Sequence, residues 1–188
     1  MFGSVFMALF AGMLLSKDRT SSFLTRLFTS PMTATDFILG YTFPMIIMTI
    51  VQASINLLVA GIFGLDINVN IILAIIITAL TSLLFIGTGL FFGSLLNEKA
   101  VGGVCGALLT NIAGWLSGVF IPIDLIGGAF KAITNILPFY HSVEAIKLSL
   151  NGDFSNILPH LSIVMGYTGI IFVFAIITFN RKMAGEKA

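Results

Sequence analysis

Charge is scarce in this sequence. Only 9% of its 188 residues are Asp, Glu, Lys or Arg, while 57% are hydrophobic and the mean hydropathy is +1.09. Soluble domains run nearer to about 45–50% apolar and about 25% charged. A soluble fold of this size needs charge to cover its surface, so the shortage excludes one. The net charge of +1 provides no basic face for nucleic acid at the level of the whole chain. The single cysteine, Cys105, lies in an apolar stretch, which rules out an internal disulfide and leaves the redox compartment unread. No basic segment precedes the apolar run after Met1, so the start is unlike a secretory signal peptide.

Motifs are missing as well. There is no G-x-x-x-x-G-K-[ST] loop to cradle ATP phosphates, no H-E-x-x-H and no G-x-S-x-G nucleophile elbow. His141 and His160 stand apart in sequence without a cysteine cluster, which argues against a zinc site, and no metal is expected. No acidic residue falls in the core of an apolar block, which argues against a proton relay or a cation pump. No repeat of solenoid length and no low-complexity linker divides the chain.

What is present is a set of long neutral blocks: 1–16, 37–65, 67–97, 100–123 and 154–180. A spanning helix needs about 20 apolar residues. One charge at mid-membrane costs about 2.5–3.5 kcal/mol on insertion scales, so charges delimit the spans. The blocks predict spans at about 2–16, 37–62, 71–96, 102–121 and 159–180. The expectation is therefore an all-α membrane protein: a polytopic bundle of about five transmembrane helices, one domain over 1–188, with a short external re-entrant helical hairpin.

Orientation follows from Lys and Arg. Lys17, Arg19, Arg26, Lys99, Arg181, Lys182 and Lys187 fall on one side of the predicted bundle, and only Lys131 and Lys147 on the other. This puts the 17–36 loop, the 97–101 turn and the C-terminus in the cytoplasm, with 122–158 outside. An outward N-terminus without a signal suggests that a further span belongs upstream of residue 1.

Two segments carry more than hydropathy. In the 17–36 loop, Phe23, Leu24, Leu27 and Phe28 make one apolar stripe on a short helix, with Arg26 beside it. Ser30-Pro31 stops that helix, and Thr33 and Asp36 form a capping-box pattern for the next span. The stripe suits either a helix lying on the membrane surface or a docking helix for a cytosolic partner. In 122–158, Pro122 ends a span, Gly127 and Gly128 allow a bend, and residues 129–137 read as helical until Pro138. Residues 139–150 form a second short helix with Tyr140, Val143, Ile146 and Leu150 on one face and a Glu144–Lys147 pair. Neither piece is long enough to span.

Within the blocks, Gly89/Gly93, Gly102/Gly106 and Gly114/Gly118 each form a G-x-x-x-G spacing, read as ordinary helix packing. Gln52 and Asn56 share a face of one span, and Asn111 lies in another. Such amides line a substrate path or bond neighbouring helices, the second being the plainer role.

Together, SSFLTRLFTSPMTATDFILG (Ser21–Gly40) and LSGVFIPIDLIGGAFKAITNILPFYHSVEAIKLSLNGD (Leu116–Asp153) resemble the permease subunits of ABC-2 type ABC transporters. The first is similar to their cytoplasmic loop before a span, the second to their closing signature of a span end, a Phe and Pro, and two short helices. The resemblance implies six spans per subunit, a second permease copy, a separate ABC ATPase subunit that binds the ATP, and no cofactor in the chain itself. It implies a plasma-membrane export permease rather than an enzyme. Residues 20–29 would be the coupling helix, with Phe23, Leu24, Leu27 and Phe28 docking and Arg26 at the rim. The family's first span has no counterpart here. An ATP-independent channel or carrier, a membrane enzyme and a non-catalytic assembly or immunity protein are the competing readings.

Overall fold

The computed structural model describes residues 1–19, 32–65, 68–121, 123 and 128–185. Among these the secondary structure is helical throughout. In chain order the helices are α1 (Phe2–Arg19), α2 (Ala34–Ile62), α3 (Asn70–Leu95), α4 (Glu98–Leu116), α5 (Gly128–Ile136), α6 (Pro138–Asn151) and α7 (Phe154–Gly185).

The five neutral blocks become the five long helices, with ends set by local chemistry. At the start of α2, Thr33 and Asp36 form a complete capping box: Thr33 N–H donates to Asp36 Oδ2 at 2.8 Å, and Asp36 N–H donates to Thr33 Oγ1 at 3.3 Å. Asn97 caps α4 by accepting from Ala100 N–H at 2.9 Å. At the end of α6, Gly152 adopts φ +75°, while Asp153 N–H reaches Leu148 O at 3.1 Å, a Schellman closure.

Four of these helices, α2, α3, α4 and α7, are long and apolar enough to cross a membrane. The first expected span corresponds to α1, whose last turn carries Lys17, Asp18 and Arg19, so its charge sets it apart from the four. Two other expectations need correction. The fourth span, expected at about 102–121, is shorter: α4 ends at Leu116, because Gly118 takes the left-handed φ of +74° and Ser117 Oγ donates back to Gly114 O. The fifth was placed at 159–180, but α7 begins at Phe154, since a proline near a helix start forfeits only one backbone hydrogen bond.

The bundle is built around α3. It packs against α1, α2, α6 and α7. Its most apolar stretch is 44% buried, against 17% for α2 and for α7. Phe85, Leu84, Ile86 and Leu90 of α3 lie in two adjoining cores, with Val5, Ala8, Ala11 and Leu15 of α1, Phe37 and Ile38 of α2, and Val164 and Phe179 of α7.

The α1–α3 crossing is a backbone contact. A Cβ on Gly89 would lie 2.0 Å from Ala8 O, and one on Gly93 would lie 2.5 Å from Gly12 O. Of the three G-x-x-x-G spacings, only this one is a helix crossing. Gly102 has open space around its Cβ position, Gly106 makes ordinary contact with Leu9, and Gly114 is roofed by Phe120 of the segment after α4.

α4 is not a uniform helix. Its middle, Gly102–Leu109, is a π-helix between two α-helical ends. Three glycines in GGVCGALL leave that stretch with little side-chain packing to enforce 3.6 residues per turn.

Candidate functional site

The helix ends sort into two groups. At one end lie the C-termini of α1, α3 and α7 and the N-termini of α2 and α4. Arg19 reaches the α3 C-terminus there, and Leu95 shares a groove with Thr178, Arg181 and Lys182. Lys17, Arg19, Lys99, Arg181 and Lys182 therefore share this loop end; Arg26 and Lys187 lie outside the described residues. The opposite, hairpin end holds α5, α6 and the start of α7, where Asn70 Nδ2 donates to Leu150 O at 3.3 Å.

The predicted docking residues Phe23, Leu24, Arg26, Leu27 and Phe28 lie outside the described residues, as do Pro122 and Gly127. Both flanks of the docking segment are described, and both are tied down. Before it, Ser16 Oγ donates to Leu96 O at 3.0 Å. The Arg19 guanidinium donates to Ser94 O, and to Leu96 O at 3.1 Å. A cation on the last carbonyls of α3 meets the negative end of that helix. Across the segment, Tyr41 of α2 donates its hydroxyl to Asp18 Oδ2 at 2.7 Å. The end of α1 is thus bonded to the α3–α4 corner and, through Asp18 and Tyr41, to α2, the helix that follows residues 20–31 in the chain.

The predicted polar path residues are not brought together. Gln52 of α2 lies over Gly3 of α1, where an added Cβ would sit 2.6 Å from its side chain. It helps line a groove of about 380 Å³ between α1 and α2, with Met7, Ile47, Met48, Val51 and Ile55. Asn56, one turn on, is exposed. Asn111 is exposed on α4 and donates to Ala107 O of its own helix at 2.8 Å. Gln52 is thus packed against α1, whereas Asn56 and Asn111 are exposed on this chain.

At the hairpin end, Gly128 takes φ +56° at the start of α5. Pro138 opens α6, where its missing N–H is no loss. Glu144 pairs with Lys147 at 3.5 Å. Tyr140 sets its ring edge-on to His141 and to His160. The two histidines, separated in sequence, are in contact: their Nδ1 atoms are 2.7 Å apart. Position gave the only sequence signal for this pair, since His141 follows Pro138 by three residues and His160 follows Pro159 directly, within the first two turns of helices that bound the same turn.

Comparison with known proteins places this geometry. The model of the ABC-2 type transporter family matches residues 1–150. Nodulation protein J of Rhizobium meliloti (strain 1021) is 25% identical over 126 residues, 66% of this chain and 48% of that protein. The chain thus spans about half the length of the curated relative it matches. No solved structure matches. The family model's match to most of the chain, together with four long apolar helices packed about a central span, makes this multi-pass membrane protein a member of the ABC-2 type transporter family.

Proposed function

We propose that the chain is the membrane-spanning permease subunit of an ATP-binding-cassette exporter, driven by ATP hydrolysed on a separate partner. The observation that carries this reading is the bonding of α1, the helix before residues 20–31, to α2 and to the α3–α4 corner. A partner pressing on that segment pushes at once on α1 through Arg19 and Ser16, on α2 through the Tyr41–Asp18 bond, and on the α3 C-terminus. Because α1 and α3 touch backbone to backbone at Gly89 and Gly93, they move as one body. α3 in turn carries α6 and α7, so displacement at the loop end reaches the hairpin end through the bundle centre. This is a two-state element biased by a ligand bound elsewhere.

In this reading the stripe Phe23, Leu24, Leu27 and Phe28 docks on the ATPase with Arg26 at the rim. The loop end faces the cytoplasm, in keeping with its clustered Lys and Arg, and the C-terminus lies there too. The chain sits in the cell membrane, and the 122–158 hairpin faces outward. A second permease copy, identical or related, completes the assembly. The exposed amides of Asn56 and Asn111 support this, because polar groups at membrane depth need a wet cavity or a protein neighbour. They then border the substrate path at the subunit interface. The outward direction is carried over from the family resemblance.

The test is co-purification. Leu27→Asp places a charge in the apolar stripe, and the expected result is loss of association with the partner ATPase in solubilised membranes. Unchanged association would defeat the docking role. Transport that persists without an ATPase subunit would point instead to an independent channel or carrier.

A further inference from the structure

One side-chain cluster outside the loop ties three elements together at the hairpin end. His141 of α6 and His160 of α7 face each other with Nδ1 atoms 2.7 Å apart. Nε2 of His141 lies 2.8 Å from the carbonyl oxygen of Asn135 in α5. A carbonyl can only accept, so His141 carries its proton on Nε2 and its Nδ1 is a lone pair. His160 must then donate from its own Nδ1. The neutral pair is fully matched, and Nε2 of His160 is left free to take a proton.

We infer that His141 and His160 form a proton-binding latch joining the α5–α6 hairpin to α7. One proton enters at Nε2 of His160 and leaves the Nδ1–H···Nδ1 bond in place, now charge-assisted. A second proton has only Nδ1 of His141 to occupy. It removes the acceptor, sets N–H against N–H and puts two like charges in rings whose centroids are 4.9 Å apart. The latch holds with no proton or one, and opens with two. Buried His141 cannot turn to water without moving α6.

The surrounding charges do not substitute for the pair. On α6, Glu144 lies within electrostatic reach of His160 but is paired with Lys147. Tyr140 borders both rings. On α5 the titratable group is Lys131. Ahead of α7, Asp153 is engaged by Asn156 at 2.8 Å, and Tyr167 stands two turns beyond His160. α3 has no titratable side chain, and α4 has Glu98 and Lys99 at the far end and buried Cys105.

The test uses the full chain in lipid nanodiscs, with ¹⁵N-histidine NMR and hydrogen exchange from about pH 8 to about pH 4.5. Interacting histidines titrate in two separated steps. Between the two steps, α6 exchange corrected for intrinsic rate should rise by about tenfold per unit fall in pH, because opening takes up one proton, and should level off below the second step. Exchange in the centre of α3 should not rise. His160→Asn, whose side-chain amide can donate to Nδ1 of His141 and can turn to accept from it once that atom is protonated, should remove the pH dependence while matching the wild type at high pH. Single-step independent titration in the wild type would overturn the latch even if the variant failed to fold. So would the same pH dependence of α6 in both proteins.

Discussion

Replacing Gly89 by Ala should separate α1 from α3. The new Cβ would lie 2.0 Å from Ala8 O and 2.7 Å from both Ala8 C and Ala8 Cα. Even a close Cα–H···O contact needs about 3.3 Å, so the backbones must part by roughly 1.3 Å. The obstacle is backbone, so no side-chain rotation relieves it. A radial gap of about 0.5–1 Å already forfeits a quarter to a half of the dispersion well. That loss falls on Val5, Ala8, Ala11 and Leu15, all buried at 2% exposure or less. Overpacking costs about 1–3 kcal/mol, and the rigid obstacle argues for the upper part of that range. The better helix propensity of Ala returns about 1 kcal/mol. A net loss of about 2 kcal/mol corresponds to a fall in Tm of about 4–8 °C for a chain of this size. The lone buried thiol of Cys105 supplies the assay, because a thiol-reactive fluorophore lights up only as the bundle opens in detergent. Gly166→Ala on α7 is the control, since nothing lies within 4 Å of its Cβ position. Equal melting of Gly89→Ala and Gly166→Ala would refute the backbone-contact crossing.

Tyr41→Phe removes one bond to a carboxylate that keeps other partners, so it should cost only about 1 kcal/mol in the same thermal assay. Its larger expected effect is on coupling: transport per ATP should fall while ATPase association persists. Thr33→Val removes the side-chain half of the capping box, worth about 1 kcal/mol, and should speed hydrogen exchange in the first turn of α2 without changing that of α3.

Much of the fold was legible because lipid as solvent makes charge a punctuation mark. Asp66, Glu98 and Lys99 bound α3 to within a few residues, and the Thr33/Asp36 cap shows in the sequence as side chains that can bond their own backbone. What was not legible depends on partners distant in sequence. Nothing local separates Gly89/Gly93 from Gly102/Gly106; only the approach of Ala8 and Gly12 does. The π-helical middle of α4 shares its apolar composition with an ordinary span. Apolar residues after Ser117 made the fourth span look longer, although the left-handed turn at Gly118 ends it. His141 and His160 meet only because α6 folds back along α7. Gln52 and Asn56 share a helix face by spacing, yet one is covered by α1 and the other is bare.

The sidedness of the loop end is tested most directly by labelling single cysteines in intact cells with a membrane-impermeant maleimide, in a Cys105→Ser background. Thr25→Cys lies between α1 and α2 in the chain, and Asn151→Cys is exposed at the end of α6. Asn151→Cys should react from outside, and Thr25→Cys only after the membrane is permeabilised. Labelling of Thr25→Cys in sealed cells, with Asn151→Cys protected, would contradict that sidedness.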